Sequence, residues 1–234
     1  FNDYGTLQLS DMFQSFVMSD KGTATMTSKY NNAFGQQFGY IIALSVPNRT
    51  GYAPVLAISS PNAFVFVLGV SALDTTNNVW KFWIATDFAA LSGPTFDWYA
   101  FNPITAPFGN YGLQVWNAAG QITYDSSAPL LQIKRKARGT VGATGNDSID
   151  NLATGPKYAV VDLQHNNSSS GEVQTGGIGS NWTEFSLAGM FKTIATGMTL
   201  STIKYMETYT VMNTGATPRN SNDYTYLILD VTNY

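Results

Sequence analysis

The chain reads as an all-β protein of two tandem β-sandwich-like units, and three observations lead there. Strong helix formers give way to Thr, Tyr, Phe, Trp and Val, with only three Glu (Glu172, Glu184, Glu207) among the 15 acidic residues. Short alternating or apolar runs recur between Gly, Pro, Asn and Asp signals, as they do in sandwiches. A hairpin pattern near the middle of the chain has an echo at its start, the mark of a repeated unit.

The hairpin is Tyr111-Gly-Leu-Gln-Val-Trp-Asn-Ala-Ala-Gly-Gln-Ile-Thr-Tyr-Asp125. Leu113 and Val115 alternate with Gln114 and Trp116, the run breaks over 117–120, and alternation resumes through Ile122, Thr123 and Tyr124. Asn117 tolerates the left-handed backbone of a tight turn, and Gly120 supplies the positive φ that closes a four-residue loop. Against residues 1–25, Phe1 falls on Trp116, Asn2 on Asn117, Gly5 on Gly120, Leu7 on Ile122 and Leu9 on Tyr124. With two residues inserted, Lys21-Gly-Thr23 then falls on Arg138-Gly-Thr140. The first unit is therefore expected over 1–104, lacking its first strand, and the second over 105–234. Because the numbering opens on Phe1 with no initiator Met, further N-terminal residues are expected to precede it or to have been processed away.

In chain order, residues 30–37 are a polar loop. Residues 40–46 form a strand ended by Pro47-Asn48, and residues 54–59 form another that stops at Ser60-Pro61-Asn62. Residues 63–70 are apolar on both faces, as in a central strand. After a turn at 74–78, Trp80, Phe82 and Ile84 face one way and Lys81 and Trp83 the other. Ser92-Gly-Pro94 turns the chain into the strand 96–101, and the Pro- and Gly-containing stretch 102–110 reads as an interdomain linker. Past the hairpin come the run Leu130-Leu-Gln-Ile133, a loop at 142–151, a strand at 157–163 and a Ser-, Asn- and Gly-rich surface loop at 165–179. Leu187, Met190, Phe191 and Ile194 stand at helical spacing, which predicts one short helix within 185–199. Residues 205–212 and 224–231 alternate again. Asp223-Tyr-Thr-Tyr-Leu227 is similar to Asp97-Trp-Tyr-Ala-Phe101, so both units are expected to end on the same strand.

Composition narrows function. Charged residues are 12% of the chain, about half the usual share, which leaves a neutral, hydrogen-bonding surface. A formal charge of -3 argues against nucleic acid as a partner. Lys134, Arg135, Lys136 and Arg138 are a local exception. They fit either an anionic contact or a solvated strand edge that deters pairing with other chains. Without cysteine there is no disulfide and no thiolate metal site, and no apolar run approaches the ~18 residues of a membrane helix. Phe1-Asn-Asp-Tyr-Gly also lacks the basic start and apolar core of a signal peptide.

Catalytic patterns are weak. His165 is the one histidine and has no nucleophile elbow nearby, which disfavours a Ser/His/Asp triad and an imidazole metal site alike. Asp147-Ser-Ile-Asp150 offers oxygen ligands for calcium, but an ordinary turn accounts for it better. Paired carboxylates for glycoside hydrolysis, drawn from Asp87, Asp97, Glu172 and Glu184, remain a route that no motif reveals. No catalytic residue and no cofactor is assigned. The positive signal is aromatic, at 14% of the chain, with Trp80, Trp83, Trp98 and Tyr99 grouped late in the first unit. These rings are either core or a platform for sugar faces, and Trp83, sharing a face with Lys81, is the best candidate for exposure.

The stretch 111–126 resembles a family of tailed-bacteriophage proteins whose members carry a Tyr-Gly-Leu-x-(Val/Ile)-aromatic-Asn-x-x-Gly-x-(Leu/Ile/Val)-x-aromatic-Asp-Ser hairpin near their start. Such proteins belong to the tail tip or tail fibres of long-tailed phages. The match is close over about 16 residues, with a looser echo at 1–25. The best copy is internal, and the first reads Leu-Ser-Asp where the motif has aromatic-Asp-Ser. The resemblance implies a structural, non-enzymatic role in the virion, as a homo-oligomer that contacts other tail proteins and a host-surface glycan or receptor. It transfers no catalytic residue. A carbohydrate-binding module and a polysaccharide-degrading tailspike are the alternatives.

Overall fold

The computed structural model describes residues 14–27, 29–31, 37–87, 90, 92–140, 146–149, 151–164, 167–174, 181–210, 220–221 and 223–234. All regular structure among them is strand. In chain order the strands are β1 (Phe16–Thr25), β2 (Lys29–Asn31), β3 (Gln37–Pro47), β4 (Val55–Ser59), β5 (Val65–Val70), β6 (Val79–Thr86), β7 (Thr95–Pro103), β8 (Gln114–Trp116) and β9 (Ile122–Asp125). After them come β10 (Ile133–Thr140), β11 (Asn146–Ile149), β12 (Tyr158–Gln164), β13 (Asn167–Gln174), β14 (Asn181–Ile194), β15 (Gly197–Thr210), β16 (Asn220–Ser221) and β17 (Asp223–Asp230). The first hairpin copy at 1–9 lies outside the described residues.

Two antiparallel sheets face one another in a sandwich-like arrangement. One runs β1-β7-β4-β12-β17-β10, the other β11-β15-β3-β6-β5-β14-β13-β16, and β8-β9 stands as a small third sheet. In the second sheet β14 and β15 also pair with each other, which closes a ring of pairings through β3, β6 and β5. Alternation sorts the side chains. Ile58, Phe96, Ala100, Val160, Tyr226 and Ile228 point inward from the first sheet to meet Leu44, Val46, Val65, Phe82, Ile84 and Phe191 from the second. The outward residues of the first sheet, Ala57, Tyr99, Phe101, Ala159, Val161 and Leu229, make a second buried cluster. Phe66, Ala85 and Met190 do the same on the far face of the other sheet. Both faces of the central strands are thus covered, which is why residues 63–70 carry apolar side chains on both sides.

The sheets do not follow the expected division at 104/105. Each draws strands from both halves, and β4 pairs directly with β12 through Ala57↔Val161 and Ile58↔Val160. The central core is likewise shared, so the two halves build one two-layer body instead of two tandem sandwiches. The similar segments are nevertheless placed alike. Lys21, Gly22 and Thr23 on β1 oppose Tyr99, Trp98 and Asp97 on β7, while Arg138, Gly139 and Thr140 on β10 oppose Thr225, Tyr224 and Asp223 on β17. A Cβ on Gly22 would come within 3.0 Å of the Trp98 ring, and one on Gly139 within 2.7 Å of the Tyr224 hydroxyl. Each glycine gives room to a cross-strand ring on an edge strand of the same sheet.

Three further expectations are corrected. No helix forms within 185–199; β14 and β15 make a long hairpin that turns between Ile194 and Gly197. Adjacent Met190 and Phe191 are both fully buried, in different clusters on opposite faces, which a strand covered on two sides permits and a one-sided amphipathic helix does not. Parts of the expected loops at 165–179 and 142–151 are strands as well, β13 on β14 and β11 on β15. Ser, Asn and Gly are poor strand formers, but backbone pairing offered by a neighbouring strand overrides that weak local preference.

A shared core predicts a single unfolding event. Urea unfolding followed by tryptophan fluorescence should show one transition, and Ile58→Ala should lower stability by about 2–5 kcal/mol without splitting it. Two resolved transitions would restore the two-unit division.

Candidate functional site

The motif hairpin folds as a closely hydrogen-bonded unit, and each of its signature residues has a physical task. Asn117 makes the turn: its Oδ1 accepts from the N–H groups of Ala119 (3.0 Å) and Gln121 (2.9 Å), and its carbonyl accepts from Gly120 N–H. Gly120 has φ +77°, the conformation its position requires. Gly112 has φ +96°, and a Cβ there would collide with Ser126 Oγ, which accepts from Leu113 N–H at 2.9 Å.

Asp125 holds the whole. It is fully buried, and its carboxylate accepts from Ser127 N–H (2.8 Å), Ser127 Oγ (2.6 Å), Phe108 N–H (2.9 Å) and Gln114 Nε2 (3.2 Å). The Ser127 hydroxyl does most to favour the charged form. Burial opposes it, the two N–H groups and the Gln114 amide add to it, and the pKa is held down to about 2. Aspartate followed by two serines is therefore a locking device that ties the hairpin to residue 108. Three apolar side chains of the hairpin stand bare: Tyr111 85%, Leu113 54% and Trp116 47% exposed.

The stretch 102–110, expected as a linker, instead walls a cleft of about 400 Å³ that also borders β1 and the β3–β4 loop. Asn102 lies at its floor, 2% exposed. Its Nδ2 donates to Ser19 Oγ at 2.7 Å, its Oδ1 accepts from Thr50 Oγ1 at 3.1 Å, and Ser19 Oγ donates to the Ala100 carbonyl at 3.2 Å. Ser19 can reach inward because it is the extra residue of a bulge between Met18 and Asp20, opposite Phe101 and Ala100. Asp20 accepts two hydrogen bonds from Arg49, from Nε at 3.1 Å and Nη2 at 2.7 Å. Asn48 fixes the loop that carries Arg49 and Thr50, accepting from Gly51 N–H at 2.8 Å and Trp80 Nε1 at 3.4 Å. Behind the lining, Ile104 is fully buried and donates its N–H to the Ser15 carbonyl, while Phe108 on the lining is half exposed.

The four aromatic residues picked from the sequence do not form one platform. Trp80 and Trp98 are half-buried against the central core, and Tyr99 is buried on the other face of its sheet with Lys157 Nζ 5.8 Å from its ring centroid. Trp83 alone of the four is exposed, at 40%, between the small cross-strand residues Ala43 and Gly69. Lys134, Arg135, Lys136 and Arg138 are exposed on β10, the last strand of its sheet, with Lys134 3.2 Å from Asp230. That position fits the solvated-edge reading. Of the candidate carboxylates, Asp97 accepts from Thr23 Oγ1 and Lys157 Nζ, both at 2.6 Å, so it is engaged in an ion pair. Glu172 and Glu184 lie on β13 and β14, and His165 lies outside the described residues.

The residues that do come together, Ser19, Arg49, Thr50, Asn102 and Phe108, escaped the sequence reading because they are scattered over three segments. Turn signals at Asn48 and at Asn102-Pro103 marked where two of those segments bend, and nothing marked that the bends meet. No protein-family model matches the chain, and neither a curated protein nor a solved structure matches it.

A low carboxylate pKa gives a signed pH dependence. A depressed group adds stability above its unfolded value of ~3.9 and loses it as pH falls through the folded value, about 2 here. The amide resonances of Phe108 and Ser127 should hold their folded positions at pH 4.5 and move between about pH 4 and pH 2. In Asp125→Asn they should be shifted already at neutral pH. Gly112→Ala should strain the same hairpin, seen as faster protease cleavage within 105–127 while the two main sheets keep their melting midpoint.

Proposed function

We propose that this chain is a structural protein of a bacteriophage tail tip or tail fibre, located in the virion and contributing to tail assembly and to attachment at the host-cell surface. The observation that carries the reading is the division of labour within the 111–126 hairpin, the stretch that resembles tail proteins. One set of its residues, centred on Asp125, locks the fold, while Tyr111, Leu113 and Trp116 are each left exposed. Exposed rings and leucine on a rigid two-stranded arm make a contact surface for another protein. The weakly charged surface and the lysine- and arginine-bearing edge strand suit a subunit that packs only at chosen faces. Homo-oligomerisation in the virion belongs to the same proposal.

A carbohydrate-binding role is the second reading, and the cleft at Asn102 favours it. Polysaccharide cleavage has less behind it, since Asp97 is engaged by Lys157 and Thr23.

Gold-labelled antibody against the chain should decorate one end of the tail on purified phage particles. Label confined to particle-free fractions would overturn the virion reading. Replacing Tyr111, Leu113 and Trp116 together by Ser should leave the melting midpoint within a few degrees but exclude the chain from particles. Normal incorporation would remove the hairpin from the assembly contacts. Sedimentation of the purified chain as a monomer at assembly-like concentration would count against the homo-oligomer.

A further inference from the structure

The cleft at Asn102 combines features that a purely structural groove does not need. A side-chain amide at 2% exposure sits in a chain of hydrogen bonds with Ser19 and Thr50, and burying such groups costs stability unless every partner is supplied. Among the described residues, the bonds at Asn102 engage one amide N–H and one carbonyl lone pair, and an amide has two of each. The Thr50 hydroxyl donates to Asn102 and keeps its acceptor side. A ligand reaching the floor thus meets donors and acceptors in mixture.

Charge selects further. Among the described residues Arg49 is the one cation on the lining, and the carboxylate of Asp20 holds it through two hydrogen bonds, so the formal charge of the pair is zero. Asp20 takes two of the five N–H donors of Arg49 and neutralises its charge, so an anionic ligand gains less from it than from an unpaired arginine, and among the described lining residues a cationic ligand finds no carboxylate. Opposite the polar floor, Pro107 and the half-exposed Phe108 give an apolar wall. A neutral molecule with hydroxyls around its rim and a C–H face is the chemistry this combination recognises.

Three points of the cleft are also held in place. The Asn48 turn fixes Thr50, the bulge aims Ser19, and Asp125 holds the backbone of Phe108. Such pre-organisation lowers the ordering cost that otherwise consumes the affinity of a small ligand. A volume of about 400 Å³ lies at the lower end of small-ligand sites.

We propose that this cleft binds a neutral pyranose unit, a hexose or an N-acetylhexosamine, with its hydroxyls on Asn102 and Thr50 and its C–H face on Phe108. The chemistry of the site stands on the geometry alone; that the sugar comes from a host-surface glycan rests on the attachment role proposed above.

Saturation-transfer NMR on the full chain tests it with the methyl glycosides of glucose, galactose and mannose, N-acetylglucosamine, and methyl glucuronide as the charged comparison. At least one neutral sugar should receive saturation, and its affinity should fall tenfold or more in Phe108→Ala and in Thr50→Val. Phe108 is half exposed, so the midpoint of Phe108→Ala should not move, whereas Thr50→Val also takes a hydrogen bond from the buried Asn102 and its affinity is measured well below its lowered midpoint. No transfer to any neutral sugar, glucuronide binding more tightly than glucoside, or unchanged affinity in both variants would each overturn the proposal. Sugar binding by a chain that gold label never finds on particles would leave the cleft standing and remove the tail role. Label at the tail with no sugar binding would do the reverse.

Discussion

The pairing of β4 with β12 is the constraint on which the rest of the architecture depends. Only Ala57↔Val161 and Ile58↔Val160 define its register, yet it joins three strands from the first half of the chain to three from the second. Ile58 and Val160 point into the central core and Ala57 and Val161 into the cluster behind it, so the seam is buried on both faces. A strand pair with two covered faces cannot slip by one residue without exchanging its core and outer sets, and that fixes both sheets relative to one another. Outward from the seam the sheet ends on β1 and β10, where Gly22 lies under Trp98 and Gly139 under Tyr224. The segments that look alike in sequence are thus at the same distance from the seam, on opposite edges.

Two buried polar side chains carry the site outward from this frame. Asn102, next to the last residue of β7, gathers Ser19 from the neighbouring strand and Thr50 from the β3–β4 loop that connects the two sheets. Asp125 ends β9 and reaches the backbone of Phe108. Between these anchors, residues 104–108 have no regular pairing but are held at both ends and by the buried Ile104. The hairpin and the cleft are therefore mechanically one feature: what locks the hairpin also positions the cleft wall. This coupling gives the proposed assembly arm and the proposed sugar site a shared support, and it explains why an acid so near the surface is so fully engaged.

Much of the strand inventory was legible because it is written locally. Residues 54–59, 79–85 and 96–101 alternate or run apolar between proline, glycine and asparagine signals, and each is a strand within a residue or two of its expected ends; 40–46 is a strand as well but begins three residues early, at Gln37, at the end of the expected loop 30–37, whose first residues also pair, in β2. The hairpin turn was legible for the same reason, down to the positive φ at Gly120. The helix expected around Leu187, Met190, Phe191 and Ile194 failed because a strand buried on both faces has no periodicity to display, so a chance helical spacing passed for a signal. Residues 167–174 read as loop because their composition is that of a loop; their neighbour β14 makes them a strand.

The sequence left open whether the basic cluster is an edge or an anionic contact and whether Trp80, Trp83, Trp98 and Tyr99 are core or platform, but by itself it determined that the protein is all-β and where most of its turns fall. Those properties depend on residues close in sequence, or on the simple alternation of one strand's faces. Only the tertiary structure decided that the two halves share their sheets, that an apparent linker is a cleft wall, and that Ser19, Thr50, Asn102 and Phe108 meet. These depend on which strands pair across 80 or more residues, as Ser19 and Asn102 do with a separation of 83. Pairing at that range is set by the joint burial of many side chains, which no local pattern encodes.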